Sequence, residues 1–262
     1  MSHDAVQEPL TWEPGPLAPQ LAPGEVHVWR LALDQPKALS RELRAWLSAE
    51  ECQRADRFHR PRDGIRFVVG RAALRDLLGR YTGEVPANLS FDTGPFGKPT
   101  LGKPAGTNIH FNVSHSHGLA VIALSQGREL GIDLELMRPM DSMDAIAHRF
   151  FAAIEYAAYQ EQPEEDRALA FFRVWTRKEA YLKATGTGIS VPLDSFHVSV
   201  KPDEPAALLH VEGKPNEVDR WSLREFRAGA ETMGTLAVEG QDWSPVGWSY
   251  HLWGQAKQES GC

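Results

Sequence analysis

The chain has 262 residues, of which 42% are hydrophobic and 24% charged, the composition of an ordinary globular protein. Its longest apolar run, near residues 119–124, is much shorter than the ~20 residues of a membrane helix, and the first ten residues resemble no secretory signal. A net charge of −7 disfavours a general nucleic-acid binder. We therefore expect neither a membrane nor a nucleic acid as partner.

The chain contains two cysteines, Cys52 and Cys262, and Cys262 is the last residue. Cysteines so far apart form no disulfide framework, and neither has a nearby cysteine or histidine at the spacing of a zinc site. A reducing compartment suits such a chain best, so we expect a cytoplasmic protein.

The first half opens with a proline-rich segment and continues with strands and helices. Five prolines lie within residues 1–24, which we expect to form an extended arm. Alternating apolar residues predict a strand over 26–33, and a helical period predicts a helix over 62–81. Ser40 and Ser48 are candidate helix N-caps, and a glutamate three residues after Ser48 completes a capping box.

The rest of the chain alternates between strand and helix patterns. The sequence GPFGKP at 94–99 predicts a turn. The remaining predicted elements are two strands within 109–125, a third over 129–137, helices over 141–147, 152–159 and 165–182, and strands over 195–200, 221–226 and 234–238.

The two halves of the chain resemble each other weakly. The stretch RAALRDLLG from Arg71 resembles RKEAYLKATG from Arg177, and GLAVIAL from Gly118 resembles GTLAVEG from Gly234. A tandem duplication explains this similarity, although chance likeness between amphipathic helices would produce it as well. Duplication predicts an N-terminal α/β subdomain (25–128) and a C-terminal α/β subdomain (129–254) with a cleft between them, flanked by the arm and a flexible tail (255–262).

Three carboxylates are candidate metal ligands. Asp133 and Glu135, in GIDLE, project from one face of a predicted strand, and carboxylate oxygens suit magnesium or manganese. Glu179 and Lys183, in WTRKEAYLKATG, lie one turn apart on a predicted helix, where Lys183 can contact a phosphate oxygen. Taken singly, each pattern also suits an ordinary solvated surface.

The sequence FNVSHS ends a predicted strand at candidate phosphate-binding residues. Ser114 and His115 stand where a strand end offers hydrogen-bond donors, and Asn112 is interpreted as a turn or strand-end residue. His115 and His117 lack a third nitrogen or sulfur ligand at metal spacing, which disfavours zinc.

Several cations and one further carboxylate complete the set of candidates. A phosphate monoester requires several cationic partners, and the candidates are Arg54, Arg57, Arg66, Arg71 and Lys98. Glu155, in RFFAAIEY, is a candidate general base or fourth acidic ligand. A solvated helix surface is the alternative for each of them.

Read in order, NVSHS, GIDLE, FFAAIEY and WTRKEAYLKATGTGI closely resemble the 4′-phosphopantetheinyl transferases of the surfactin-synthetase-activating (Sfp) type. GPFGKP and the arginine-rich stretch before it fit the same pattern, so the resemblance covers about 54–200. It implies a pseudo-twofold α/β fold with the active site between the halves. It also implies transfer of the phosphopantetheine arm from coenzyme A to a serine of an apo acyl or peptidyl carrier protein.

The same resemblance implies roles for individual residues. It implies Asp133, Glu135 and Glu179 as magnesium ligands, with manganese a substitute, and Glu155 as the base. Basic and polar residues around the phosphates and adenine would be Arg54, Arg66, Arg71, Lys98, Ser114, His115, Lys178 and Lys183, with Lys183 also catalytic. A monomer is implied, since one chain supplies both halves of the cleft.

Two other functions share these residues. A magnesium-dependent pyrophosphohydrolase acting on coenzyme A would use the same carboxylates and cations, although the chain lacks a helix with closely spaced glutamates such as R-E-x-x-E-E. A non-catalytic carrier-binding module would be favoured by loss of an acidic ligand, yet all four carboxylates are present.

Overall fold

The computed structural model describes residues 9–138 and 140–251. Residues 1–8 of the predicted arm, the predicted tail at 255–262 and Cys262 lie outside these ranges. No helix within the described ranges is long and apolar enough to cross a membrane.

Strands and helices follow one another in runs along the described residues, with the strands of residues 90–136 between two groups of helices. The strands are β1 (Glu13–Pro14), β2 (Glu25–Ala32), β3 (Ser90–Thr93), β4 (Pro99–Lys103), β5 (Ile109–Ser116), β6 (Leu119–Gln126), β7 (Leu130–Leu136), β8 (Phe196–Val198), β9 (Leu208–Val211), β10 (Trp221–Phe226), β11 (Thr232–Glu239) and β12 (Ser244–Ser249). The α-helices are α1 (Lys37–Leu43), α2 (Ala49–Asp56), α3 (Pro61–Thr82), α4 (Met143–Phe150), α5 (Ala153–Gln160), α6 (Glu164–Thr185) and α7 (Glu217–Arg220).

Two larger sheets organise the fold. The five-stranded sheet has the order β1-β12-β2-β6-β5 and the three-stranded sheet the order β10-β11-β7, while β3–β4 and β8–β9 form separate two-stranded sheets. The predicted mixed α/β architecture is confirmed. The subdomain boundaries remain a prediction. Strand β12, which belongs to the predicted C-terminal subdomain, pairs in parallel with β2 of the predicted N-terminal subdomain.

The long helices α3 and α6 occupy similar places in the two halves. Each has 22 residues and ends at a glycine in the left-handed conformation, Gly83 and Gly186, as the resemblance between the halves leads one to expect. Leu77 of α3 belongs to the apolar core of the first sheet. Phe171 of α6 belongs to a second core that includes β10 and β11.

A third apolar cluster joins the two larger sheets. It contains Val28 and Val121 from the first sheet together with Ile132 and Leu236 from the second, and all four side chains are buried. Burial of these apolar side chains holds the two sheets against each other. Each buried side chain of this kind stabilises the folded protein by roughly 1.5–3 kcal/mol.

The two predicted helix caps have different outcomes. The capping box at Ser48 is confirmed, because its hydroxyl accepts from Glu51 N and the Glu51 carboxylate accepts from Ser48 N. The Ser40 cap is wrong. The N-cap of helix α1 lies four residues earlier, at Pro36, and Ser40 is buried inside the helix. The fixed φ of proline suits a helix start, and this signal outweighed the serine.

Gly131 lets α6 approach β7 closely. A Cβ atom on Gly131 would overlap the Ala180 carbonyl oxygen and the backbone of Ala184, both on α6. The absence of a side chain therefore sets the distance between a strand that carries two acidic residues and the helix that carries Glu179 and Lys183.

We expect Gly131→Ala to lower the free energy of unfolding by about 2 kcal/mol or more, because α6 must move away from β7. Urea unfolding followed by circular dichroism measures the change. Gly229→Ala is the matched control, since its added Cβ would only touch Thr232 Cγ2 at 3.8 Å. Equal stability of the two variants would contradict the close helix–strand contact.

Candidate active site

Three alternate side chains of β5 accept hydrogen bonds from three alternate backbone amides of β7. The bonds are Ile132 N to Asn112 Oδ1 at 3.0 Å, Leu134 N to Ser114 Oγ at 3.2 Å, and Leu136 N to Ser116 Oγ at 3.1 Å. We call this set the seam. It joins the two larger sheets at the edge of β7 that β11 leaves open, and it satisfies amides that would otherwise be buried without partners.

The seam corrects the interpretation of Asn112 and gives Ser114 a structural role. Asn112 lies in the middle of β5, so its reading as a turn or strand-end residue is wrong. Its amide oxygen is used because residues two apart on a strand share a face, which places it in one row with Ser114 and Ser116. Of these three residues, the sequence predicts a functional role for Ser114 alone, as a phosphate-binding residue.

The hydroxyls of the seam also hold the two acidic residues of β7. Ser114 Oγ donates to Asp133 Oδ1 at 3.1 Å, and Ser116 Oγ donates to Glu135 Oε2 at 3.0 Å. Asp133 is almost fully buried, and Lys183 Nζ lies 2.6 Å from its Oδ1 and 3.0 Å from Ser114 Oγ. Helix α6 thus brings Lys183 to β7.

Glu179 completes a group of three carboxylates. Burial raises the pKa of Glu179, and the charges of Asp133 and Glu135 raise it further. Burial likewise raises the pKa of Glu135, with Asp133 adding to the effect and the Ser116 hydroxyl opposing it. The structure therefore brings all three predicted metal ligands within electrostatic reach of one another.

The chemistry of this group fits a hard divalent cation. Asp133 Oδ2 is buried and has no hydrogen-bond partner among the described residues. Among residues 9–138 and 140–251, no three acidic, histidine or cysteine side chains stand in a metal-binding arrangement. Magnesium does not require one, because it usually takes one or two carboxylates and fills its shell with water and phosphate oxygens.

A cavity of about 480 Å³ opens in the first half of the chain, and four predicted cofactor-binding residues line it, Arg54, Arg66, Arg71 and His115. Phe67 lines it as well, with the Arg54 guanidinium 5.0 Å from its ring centroid. Burial lowers the pKa of His115, and the nearby Lys183 lowers it further. The cavity offers cationic and aromatic groups, which suit a phosphorylated nucleotide.

Two of the cavity arginines have acidic partners. Arg66 forms two hydrogen bonds of 2.8 Å with Asp34, and with Arg62 it holds the pKa of that carboxyl far below its usual range. Arg71 lies 3.2 Å from Glu51, the capping residue of α2. Both arginines are thus oriented before any ligand arrives.

Lys98 is engaged outside this cavity. Its ammonium lies 2.7 Å from Glu129 Oε2 and donates to the carbonyls of Leu130 and Ala184 at 3.1 and 2.9 Å. It therefore ties the β3–β4 turn to the start of β7 and the end of α6, and a contact with adenine would require it to leave these partners.

Glu155 and Lys178 form a buried ion pair of 2.7 Å, with side-chain exposures of 1% and 0%. The carboxylate also accepts from the amides of Ala152 and Val198, and the ammonium donates to the carbonyls of Leu193 and Phe196. The structure does not support their predicted roles as base and phosphate ligand, because every polar group of the pair is used inside the protein.

Glu155→Gln should lower the free energy of unfolding by about 3 kcal/mol or more, because it leaves the Lys178 charge buried without its partner. The double variant Glu155→Gln/Lys178→Met should recover part of that loss, since it removes the unpaired charge while the glutamine oxygen can still accept from a backbone amide. Urea unfolding measures both. A Glu155→Gln variant as stable as Glu161→Gln, an exposed control, would rule out the structural role.

Comparison with known proteins identifies the family. A model described as the 4′-phosphopantetheinyl transferase superfamily matches residues 129–234, and one described as the N-terminal part of 4′-phosphopantetheinyl transferase matches 35–127. The chain is 42% identical over 241 residues to the 4′-phosphopantetheinyl transferase HetI of Nostoc sp., covering 92% of this chain and 98% of that one. It is 31% identical over 178 residues to Sfp of Bacillus subtilis, covering 67% and 77%.

Solved structures of smaller proteins match part of the chain. The ACPS–CoA complex of Chronobacterium ammoniagenes has 19% identity and a TM-score of 0.32, covering 44% of this chain and 98% of that one. Thermotoga maritima holo-[acyl-carrier-protein] synthase has 17% identity and a TM-score of 0.33, covering 43% and 63%. On the family models and the sequence relatives, the chain belongs to the 4′-phosphopantetheinyl transferase superfamily.

Proposed function

We propose that this enzyme transfers the 4′-phosphopantetheine arm of coenzyme A to a serine hydroxyl of an apo acyl or peptidyl carrier protein. The observation that carries the proposal is the group formed by Asp133, Glu135, Glu179 and Lys183 at the seam, together with an arginine-lined cavity. Family membership, and the naming of relatives as 4′-phosphopantetheinyl transferases, support it.

The carboxylates at the seam would hold a magnesium ion, or manganese in its place. Asp133 is the firmest ligand, since its Oδ2 is buried without a partner among the described residues. A bound magnesium ion supplies positive charge where the leaving bisphosphate becomes more negative. Of Glu135 and Glu179, one would be a further ligand of the metal ion and the other would be the base that takes the serine proton.

The chemical step forms one phosphorus–oxygen bond and breaks another. The carrier serine oxygen attacks the pyrophosphate phosphorus that carries the pantetheine arm, and adenosine 3′,5′-bisphosphate leaves. Lys183 stabilises the phosphate oxygens as charge develops on them. The serine proton passes to the carboxylate of Glu135 or Glu179, whichever does not bind the metal ion.

The binding of coenzyme A, the oligomeric state and the compartment complete the proposal. Arg54, Arg66, Arg71 and His115 bind the phosphorylated nucleotide end of coenzyme A in the cavity. One chain supplies Ser114, Asp133 and Lys183 from both halves, so we propose a monomer. The free thiol of Cys52 suits a reducing cytoplasm.

Asp133→Ala should abolish transfer, at least about 100-fold in rate, with the fold retained, because the site loses its firmest cation ligand. Mass spectrometry of an apo carrier protein incubated with coenzyme A, magnesium and enzyme measures the added phosphopantetheine. Asp203→Ala removes an exposed carboxylate and serves as control. Full activity of Asp133→Ala would refute the metal assignment.

The same assay separates the alternative functions. Failure to modify fatty-acid, polyketide and peptide carriers alike would overturn the proposal. Consumption of coenzyme A without any carrier would instead favour the pyrophosphohydrolase, and binding of a carrier without modification would favour the non-catalytic module.

A further inference from the structure

We propose that Lys183 is a resident counter-ion, which neutralises the Asp133 carboxylate before a metal ion binds and leaves it when a phosphate ligand draws the ammonium away. This inference rests on the proposed function, and it adds a coupling between metal binding and coenzyme A binding. In this arrangement one side chain makes the two ligands depend on each other.

The first observation is the closeness of Lys183 to the buried carboxylate. Its Nζ lies 2.6 Å from Asp133 Oδ1 and 3.0 Å from Ser114 Oγ. Ser114 Oγ also accepts from Leu134 N and donates to Asp133, so both partners of the ammonium are fixed by the seam. A buried carboxylate without a counter-charge is costly, and Lys183 provides that charge.

The second observation is that two of the other cations named for the site are paired with acids other than Asp133. Arg66 is paired with Asp34, and Lys98 is paired with Glu129. Among the ion pairs of the described residues, Lys183 is the cation that contacts Asp133. Lys183 contacts Oδ1, so a metal ion that arrives alone at Oδ2, the oxygen without a hydrogen-bond partner among the described residues, meets a carboxylate whose charge the ammonium already neutralises.

The third observation concerns how Lys183 can move. Its side chain is 28% exposed, whereas that of Asp133 is 5% exposed, so the lysine reaches the carboxylate from the open side of the site. A pyrophosphate oxygen on that side would attract the ammonium and leave Asp133 with its full negative charge for the metal ion. A phosphate ligand that draws Lys183 away therefore raises the affinity of the site for the metal ion. By linkage, the metal ion raises the affinity for the phosphate ligand by the same factor.

The experiment measures binding of Mn²⁺ alone, by electron paramagnetic resonance of the free ion, with no carrier protein present. Wild type should bind Mn²⁺ weakly, and Lys183→Met should bind it at least about fivefold more tightly. Saturating coenzyme A should improve Mn²⁺ affinity more in wild type than in Lys183→Met. Circular dichroism confirms folding, and Lys183→Gln replaces the methionine variant if that one does not fold.

Two controls separate a local exchange from a general change of charge. Lys201→Met removes an exposed lysine and should leave Mn²⁺ affinity unchanged. In an Asp133→Asn background, Lys183→Met should give no gain. An unchanged affinity in Lys183→Met, or a gain that persists without the Asp133 charge, would overturn the inference. Because the Mn²⁺ measurement uses no carrier protein, its outcome tests the role of Lys183 even if the transfer assay fails.

Discussion

The seam between β5 and β7 is the interaction on which the rest of the site depends. Three side chains of β5 replace the backbone partners that the open edge of β7 lacks. Two of these side chains are serines, whose hydroxyls accept from an amide and donate to a carboxylate at the same time. The bonds that join the two sheets therefore also orient Asp133 and Glu135.

The second requirement is a helix that lies close enough to this strand. Gly131 removes the side chain that would keep α6 away from β7, and the same helix carries Glu179 and Lys183. The site thus combines a polar seam on one side of β7 with close helix packing from α6. Acidic side chains held this near each other and partly buried favour the binding of a cation.

Local patterns predicted the part of the site that depends on a single element. The alternation of GIDLE placed Asp133 and Glu135 on one face, and the helical spacing of WTRKEAYLKATG placed Glu179 and Lys183 one turn apart. The resemblance to a family supplied roles that no local pattern contains. The hairpin turn at 94–99 and the long helices were also predictable, because turn glycines and apolar periods are local features.

Partners distant in the chain were not predictable. Glu155 reads as a surface residue of a short helix, and only the fold brings it to Lys178 and to the amide of Val198. Asn112 carries no sign that its oxygen meets the amide of Ile132 on another strand. The pairing of β12 with β2 likewise joins the two ends of the chain. Long-range contacts of this kind leave no periodic trace in a sequence.

Site-resolved amide hydrogen exchange in wild type and in Ser116→Ala tests the seam most directly. The amide of Leu136 should be protected in wild type and should exchange about tenfold faster in the variant, because one hydrogen bond worth about 1–1.5 kcal/mol is lost. The amide of Ile132, bonded to Asn112, should keep its protection. Rapid exchange of the Leu136 amide already in wild type, or no change in the variant, would contradict the account.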